Sequence, residues 1–544
     1  LTTLNNVKSS KVRLIAIILV VCSPPYIAEC LRTRSTKWQL VGDPALEVLG
    51  ALDVGSYTRF LGVYSRFDWQ HPGPAIFFLL AIPSHIGTHI AMNVMYWTVF
   101  LNLLFVAMAI AFIWNSAGRL GALILGSCLI LANINGIADV SSAWNPAIAL
   151  PFFALFLIIT MFAWSNHYAL VWISLLGSVV IQLHVSYVIP VLTILLVLLI
   201  ARVNQRKSGG VLFNSRELLF TFGTNFVVWC LPLWDQFFGS GNFERIFHHF
   251  VSNPENQVGY GRSSRIIAYH LLPRAPWNGA LELVSFTQNS EVSALWLFLP
   301  AFFFLFLVWA ARRHEPELRV AVLAIAMVGV AAFISIAKLT GTAFPYMYGW
   351  VRIVAAVFWG TTLYTGIRII IRYFQKSRDV IQKLLVVSAV TTLGIATFMA
   401  YDRPVIQKNW MDAVTYLTPF ALALVPPGEE VGIIATDYLI GIGDGILLQY
   451  ELNNRHVRRN GTGFDKPDAV AARYGAQRVG LGSATIEVGT VMGISVKDFI
   501  PLGFVTIAGY DLKNGFARSP EVIDESGEVI YLMSRKIPAV TVGQ

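Results

Sequence analysis

Apolar residues run along this chain in long blocks, not in the alternation of a half-buried strand or the narrow stripe of a water-facing helix. A bilayer's hydrocarbon core is about 30 Å thick, so a helix needs roughly 20 largely apolar residues to cross it. The pattern predicts eleven such spans: Arg13–Leu31, Ala91–Trp114, Arg119–Asn135, Pro146–Trp164, Tyr168–Leu183, Tyr187–Arg202, Arg216–Gln236, Ser293–Ala311, Leu318–Lys338, Gly349–Ile371 and Leu384–Tyr401. A further stretch, Pro72–Gly87, is short and interrupted by Pro72, Pro74 and Pro83. It is expected to be re-entrant or interfacial. After residue 402 the pattern changes. Val431–Thr436 and His456–Arg459 read as strands and Asp444–Asn454 as a helix. The expected fold class is therefore an all-α polytopic membrane domain over 1–402, followed by a small C-terminal α/β domain over 403–544. Two large outer loops, 32–87 and 237–292, belong to the first domain in this reading.

Composition agrees with that reading. The 544 residues are 56% hydrophobic and only 13% charged, about half the charge of an ordinary soluble domain. The net charge of +9 is uneven: residues 1–402 hold 27 Lys/Arg against 16 Asp/Glu, and residues 403–544 hold 13 against 15. The excess sits mostly in short loops. That suits cytoplasmic loops and anionic membrane lipids, not nucleic acid. Arg202-Val-Asn-Gln-Arg206-Lys207, Arg312-Arg313 and Arg372–Arg378 are expected inside, together with Arg119. Lys8, Lys11 and Arg13 keep the N-terminus inside and make the first block an uncleaved span. Trp144, His184, both large loops and the C-terminal tail then fall outside. Cys22, Cys30, Cys128 and Cys230 lie in or beside apolar segments and show no metal-ligand spacing.

The first outer loop is the most informative stretch. Gly42-Asp43-Pro44 and Glu47 are followed by Asp53, Arg59 and then Tyr64-Ser-Arg66-Phe-Asp-Trp-Gln-His71-Pro-Gly-Pro74. A carboxylate beside an apolar segment can be tuned as a base, and Arg or His beside it can hold a phosphate. A solvated loop with surface charges has the same composition. Lys338 and Arg352 bracket the aromatic outer turn Leu339–Tyr348, and Arg262 and Arg265 follow Gly259-Tyr-Gly261; all four are candidate phosphate ligands. His184 reads equally as a helix–helix hydrogen bonder or an acceptor ligand. In Trp144-Asn145-Pro146, the asparagine is expected to cap a helix that opens with the proline. Asp139 is a lesser outer acid. His248-His249 has no third ligand in register, so no metal site is expected. Gly441-Ile-Gly443-Asp-Gly445 lacks the dinucleotide spacing and reads as a tight turn.

An acid soon after span one, followed by His-Pro-x-Pro opening an apolar segment, resembles the GT-C membrane glycosyltransferases. These include the protein O-mannosyltransferases and the aminoarabinose transferases of lipid A. A bacterial branch shares Tyr64–Pro74, Trp144-Asn145-Pro146 and the Gln182-x-His184-Val-x-Tyr187 stretch. The sequence departs from the mannosyltransferases in having Gly42-Asp43 and Glu47 where they carry an Asp-Glu pair. The resemblance implies inverting transfer from a polyprenyl-phosphate sugar to a glycan, lipid or protein acceptor outside the cytoplasm of a bacterial inner membrane. The family's first-loop acid maps onto Asp43 as base, with Asp53 second. Glu47, Arg59, Arg66, His71, Trp144, Asn145, His184, Arg262, Arg265, Lys338 and Arg352 are the expected substrate-binding set. No cofactor is demanded, and a divalent cation stays open. The rival reading is a transporter or flippase. Transporters place charge at mid-membrane and show related halves, whereas here the span centres are nearly free of charge.

Overall fold

A computed structural model describes residues 2–36, 38–56, 59–65, 67, 69–135, 140–166, 168–207, 213–252, 257–273, 291–424, 431–435, 440–453, 484–490, 522–523 and 529–536. The chain forms two compact units. One joins Leu1–Arg32 to Met95–Pro404, and the other joins Thr33–Val94 to Val405–Gln544.

The first unit is helical. Among the described residues of the chain, nine helical segments are long and apolar enough to cross a membrane. Two features separate that number from the eleven predicted. The blocks 91–114 and 119–135 run on as one helical stretch, α4 (Ile90–Ile134), broken only at Gly118 (φ 68°, ψ −170°). Glycine takes a left-handed φ without a Cβ clash, so the chain turns there on a single residue. A Cβ on Gly126 would lie 3.2 Å from Ile110, which shows that the two halves fold back on each other. The block Tyr168–Leu183 gives α6 (Ala169–Leu183), whose 15 residues extend only about 22 Å.

Burial grades from centre to rim. Helix α5 (Asn145–Phe162) is apolar all round, as a helix surrounded by others should be, and 94% of its span is buried. It packs against α6, α7 (Val188–Lys207), α12 (Arg319–Ala337) and α13 (Val351–Tyr373). In α8 (Ser215–Phe238) and α14 (Arg378–Asp402) only 11% of each span is buried. Phe222, Phe226, Val387 and Phe398 are exposed there. A water-facing helix could not tolerate those faces; lipid accounts for them. Helix α1 (Thr2–Arg34) packs through Ile18, Cys22 and Tyr26 on Val99, Val106 and Ile110 of α4 and on Ala396 and Ala400 of α14. Polar contacts join these helices: Tyr26 donates to Asn133 (2.8 Å), and the Asn133 amide donates to Asn102 (2.9 Å). Such bonds are worth about 0.6–2 kcal/mol each in a membrane.

In the second unit, α2 (Asp43–Leu52) packs on α3 (Ala75–Ser84) and on α16 (Ile440–Asn453), and α16 packs on α15 (Lys408–Leu424). Residues 33–94, grouped with the membrane domain by the sequence pattern, thus cluster with the C-terminal segment, because α16 covers the buried face of α2. The ten residues of α3 are about 15 Å long and cannot cross a bilayer. The described strands β1 (Val431–Ala435), β2 (Ala484–Thr490), β3 (Val522–Ile523) and β4 (Val529–Lys536) form a mixed sheet in the order β1-β2-β4-β3. Its β1–β2 pair is parallel, with Ile433 opposite Ile486, and β4 runs antiparallel to β2 and β3. The tight turn expected at 441–445 is corrected: these glycines lie inside α16. A Cβ on Gly445 would stand 2.7 Å from Val414 and 3.0 Å from the Leu40 carbonyl oxygen, so this glycine serves close packing. The strand expected at 456–459 lies outside the described residues.

Candidate functional site

The first-loop residues lie in the second unit. Gly42, at φ 61°, caps α2, and Pro44 follows in the first turn, where its missing N–H is harmless. Asp43 therefore stands as the first helical residue, and it is half-buried. Glu47, one turn on, is completely buried with the apolar face of α2. Asp53 closes α2 and forms a buried ion pair with Arg59. The Arg59 guanidinium lies 5.5 Å from the centre of the Phe77 ring. Gly50 makes room for that ring: a Cβ there would come within 2.2 Å of it.

The Tyr64–Pro74 motif folds into a tight hairpin. Gly62 N–H donates to the His71 carbonyl (3.0 Å), His71 N–H to Val63 (2.9 Å), and Ser65 N–H to Trp69 (2.7 Å). A Cβ on Gly62 would meet the Gly73 carbonyl oxygen at 2.6 Å, so no larger residue fits this crossing. The His71 ring is buried edge-on to Trp69 at 5.6 Å. Arg66 and Asp68 lie outside the described residues. Leu46, Gly50, Arg59, Tyr64, Gln70 and Phe77 line a small, partly open niche.

In the first unit, the two short motifs meet. The Asn145 amide donates to the Leu183 carbonyl (2.7 Å). Trp144 holds the cap position and Asn145 is the first helical residue, which corrects the expected register by one residue; the Asn145 side chain ties the start of α5 to the end of α6. His184 follows Leu183 and caps the short turn Val185–Tyr187, its Nδ1 contacting the Ser186 hydroxyl at 2.8 Å. Its ring meets Tyr187 and Tyr346 edge-on, at 6.5 and 6.2 Å. Tyr346, from the 339–348 turn, lies 4.9 Å from Trp144 and stacks on Phe344 at 5.9 Å. Trp144, Phe344 and Tyr346 are half-buried, while His184 is buried beneath them. Three chain segments thus build one partly open aromatic surface over a histidine.

The first-unit cations are held by partners. Lys338 donates to the Gln257 side chain (3.2 Å). Gln257 bridges to Thr340, Val258 N–H donates to the Leu339 carbonyl (2.8 Å), and His249 Nε2 contacts the Thr340 hydroxyl (2.7 Å). The segment after α9 (Asn242–Ser252) therefore straps the 338–342 turn. Burial pushes the His249 ring below its usual range. Arg352 donates to the Asn135 carbonyl (2.9 Å) and Arg403 to that of Ile134 (2.7 Å). Two guanidiniums thereby cap the carboxyl end of α4, as its dipole favours. Arg262 and Arg265, on α10 (Gly259–Leu271), both bind Glu291. Burial raises the Glu291 pKa, but hydrogen bonds and charge from the two arginines outweigh it and hold the carboxyl below its ordinary value.

One constellation escaped the sequence reading. Glu29, buried in α1, accepts from Arg32 (2.7 Å) and from the Ser141 hydroxyl (2.6 Å), and Arg32 reaches the Arg403 carbonyl (3.3 Å). Its signal was an acid and an arginine three residues apart at the end of an apolar block. Tyr346 was missed too, because nothing in the turn ranks one aromatic above another. Asp139 lies outside the described residues. Among the described residues, no group of three or more His, Cys, Asp or Glu could hold a metal ion.

No family model matches the sequence, and no curated protein matches it significantly. Solved structures do. The chain matches ArnT from Cupriavidus metallidurans bound to undecaprenyl phosphate with a TM-score of 0.52 at 11% identity, over 96% of this chain and 97% of that one. It matches the apo state of the same protein with a TM-score of 0.51 at 12% identity, over 99% and 100%. The chain thus has an ArnT-like fold.

Proposed function

We propose that this protein is a GT-C membrane glycosyltransferase of a bacterial inner membrane, with its reactive loops and C-terminal α/β segment outside the cytoplasm. It moves a sugar from a polyprenyl-phosphate donor to a glycan, lipid or protein acceptor. The observation that carries this reading is the whole-length fold likeness to ArnT, a GT-C aminoarabinose transferase seen with undecaprenyl phosphate. Fold alone does not set chemistry, and the first-loop residues supply the rest.

Asp43 takes the proton of the acceptor hydroxyl. The acceptor oxygen attacks the anomeric carbon from the face opposite the phosphate. The bond from that carbon to the phosphate oxygen breaks, polyprenyl phosphate leaves with the electron pair, and the anomeric configuration inverts. Of the three carboxylates on or ending α2, Asp43 is the one not fully buried. Asp53 is committed to Arg59, so it positions the loop, and Glu47 sits in the packed face. Arg66, Arg262, Arg265, Lys338 and Arg352 remain the candidate ligands of the leaving phosphate, each first-unit cation having to exchange its present partner for it. The Trp144–His184–Tyr346 surface, anchored by Asn145, binds substrate through half-buried aromatic rings of the kind a sugar ring can rest on, and His71 is a separate substrate-binding candidate.

The test is turnover by the full chain in vesicles with a panel of polyprenyl-phosphate sugars. Asp43→Asn is expected to lose about 10²- to 10⁴-fold in kcat, the usual weight of a general base, while donor binding persists. Undiminished turnover by Asp43→Asn removes it as the base.

A further inference from the structure

The corner where α8 passes into α9 is built by two side chains. Asp235, buried near the end of α8, accepts from the Ser240 hydroxyl (2.8 Å) and from the N–H groups of Ser240 (3.0 Å) and Asn242 (3.4 Å). Its own carbonyl takes the Gly239 N–H (2.8 Å). Gln236 accepts from the Phe243 N–H (2.8 Å), satisfying one of the open donors of the α9 amino end. Gly241, at φ 69°, completes the bend. Helix α9 is therefore fixed to the end of a span, not tethered loosely to it.

At 100° per residue the eleven positions of α9 separate cleanly. Phe243, Ile246, Phe247, Phe250 and Val251 share one arc, and Asn242, Glu244, Arg245, His248, His249 and Ser252 take the other. The inner edge of the apolar arc is used: Phe243 packs near Trp229 (6.1 Å). The outer edge is not, for Phe247 is 69% and Val251 59% exposed. That surface continues onto the end of α8, where Trp234, Phe237 and Phe238 are exposed in turn. Eleven residues extend about 16 Å, too short to cross a bilayer. A short, segregated helix locked to the end of a lipid-facing span has one medium that suits both its faces.

We propose that α9 is an interfacial helix. Phe247 and Val251 sit in the boundary between acyl chains and headgroups, and Glu244 and His248 face the headgroup layer. Through the His249–Thr340 contact, α9 holds the 338–342 turn at that membrane surface. The proposal does not depend on sugar transfer and would survive the failure of that reading.

The test uses the full chain in vesicles of phosphatidylethanolamine and phosphatidylglycerol, with Cys22, Cys30, Cys128 and Cys230 replaced by alanine. Phe247→Cys, Val251→Cys and Ser252→Cys are each labelled with an environment-sensitive fluorophore. Labels at 247 and 251 should emit at shorter wavelength and be quenched most by lipids whose nitroxide lies about 5–10 Å below the headgroups. The label at 252, on the opposite arc, should stay water-like and be quenched by iodide. Water-like emission at 247 and 251 would overturn the proposal, as would strongest quenching at the bilayer centre. Should the cysteine-free chain not fold, the unaltered chain is irradiated with phospholipids carrying a photoreactive group near the glycerol. Crosslinks on Phe247 and Val251 are expected; a 242–252 peptide free of crosslinks overturns it.

Discussion

Asp43, Glu47 and Asp53 lie within eleven residues of one another and end in three environments: half-open, sealed in packing, and ion-paired. Spacing along the chain shows only that they are near. The pairing of Asp53 with Arg59 depends on the turn after α2, and the burial of Glu47 depends on what covers α2; neither is local. Arg59→Met should leave Asp53 buried and uncompensated and cost about 3–5 kcal/mol, read as a fall in unfolding temperature. Adding Asp53→Leu should recover most of it, which a role of Arg59 in substrate binding alone would not produce. Gly50→Val should cost about 1–3 kcal/mol by forcing the Phe77 ring aside, measured in the same assay. Asn145 marks the opposite limit of sequence reading: its place at a helix start was legible, but its hydrogen bond to Leu183 joins residues 38 positions apart.

At the level of elements, the long apolar blocks became helices nearly as the pattern predicts, since lipid solvation leaves a spanning backbone little alternative. What was not legible is how short a connection can be. Gly118 turns the chain within one residue, where the pattern left a gap from 115 to 118. The strap over the 338–342 turn is likewise invisible in sequence, and it carries a pH dependence. Burial favours the neutral His249 ring in the folded strap, so the unfolded segment gains its proton at higher pH. The contact is fully stabilising above about 6.5 and weakens as pH falls through the lower folded value. Amide exchange at 339–342 should therefore speed up on acidification, and His249→Gln should flatten that response. Glu291 works in a lower window: its folded value is depressed, so the Arg262–Glu291–Arg265 contact is full above about 4.5 and is lost as pH falls through that folded value.

For the whole molecule, composition was enough to establish a polytopic membrane protein, and the first-loop motif, with Trp144-Asn145-Pro146 and Gln182–Tyr187, pointed to the fold that ArnT shares. The grouping of 33–94 with the C-terminal segment was beyond reach, because it rests on contacts such as Gln39 with Gln449 (2.8 Å) that span 410 positions. The candidate site was legible as an inventory and not as an arrangement: the aromatic surface over His184 draws on three segments far apart in sequence. The central claim is that a bond to a lipid-linked sugar is broken. The most direct measurement follows polyprenyl-phosphate sugars, labelled separately in lipid and sugar, in vesicles holding the unaltered chain with short glycans, glycolipids and hydroxyl-bearing peptides as acceptors. The account predicts that free polyprenyl phosphate appears one-for-one with a glycosylated acceptor of inverted anomeric configuration. Donor recovered intact, whether unbound or carried across to the opposite leaflet, would contradict it.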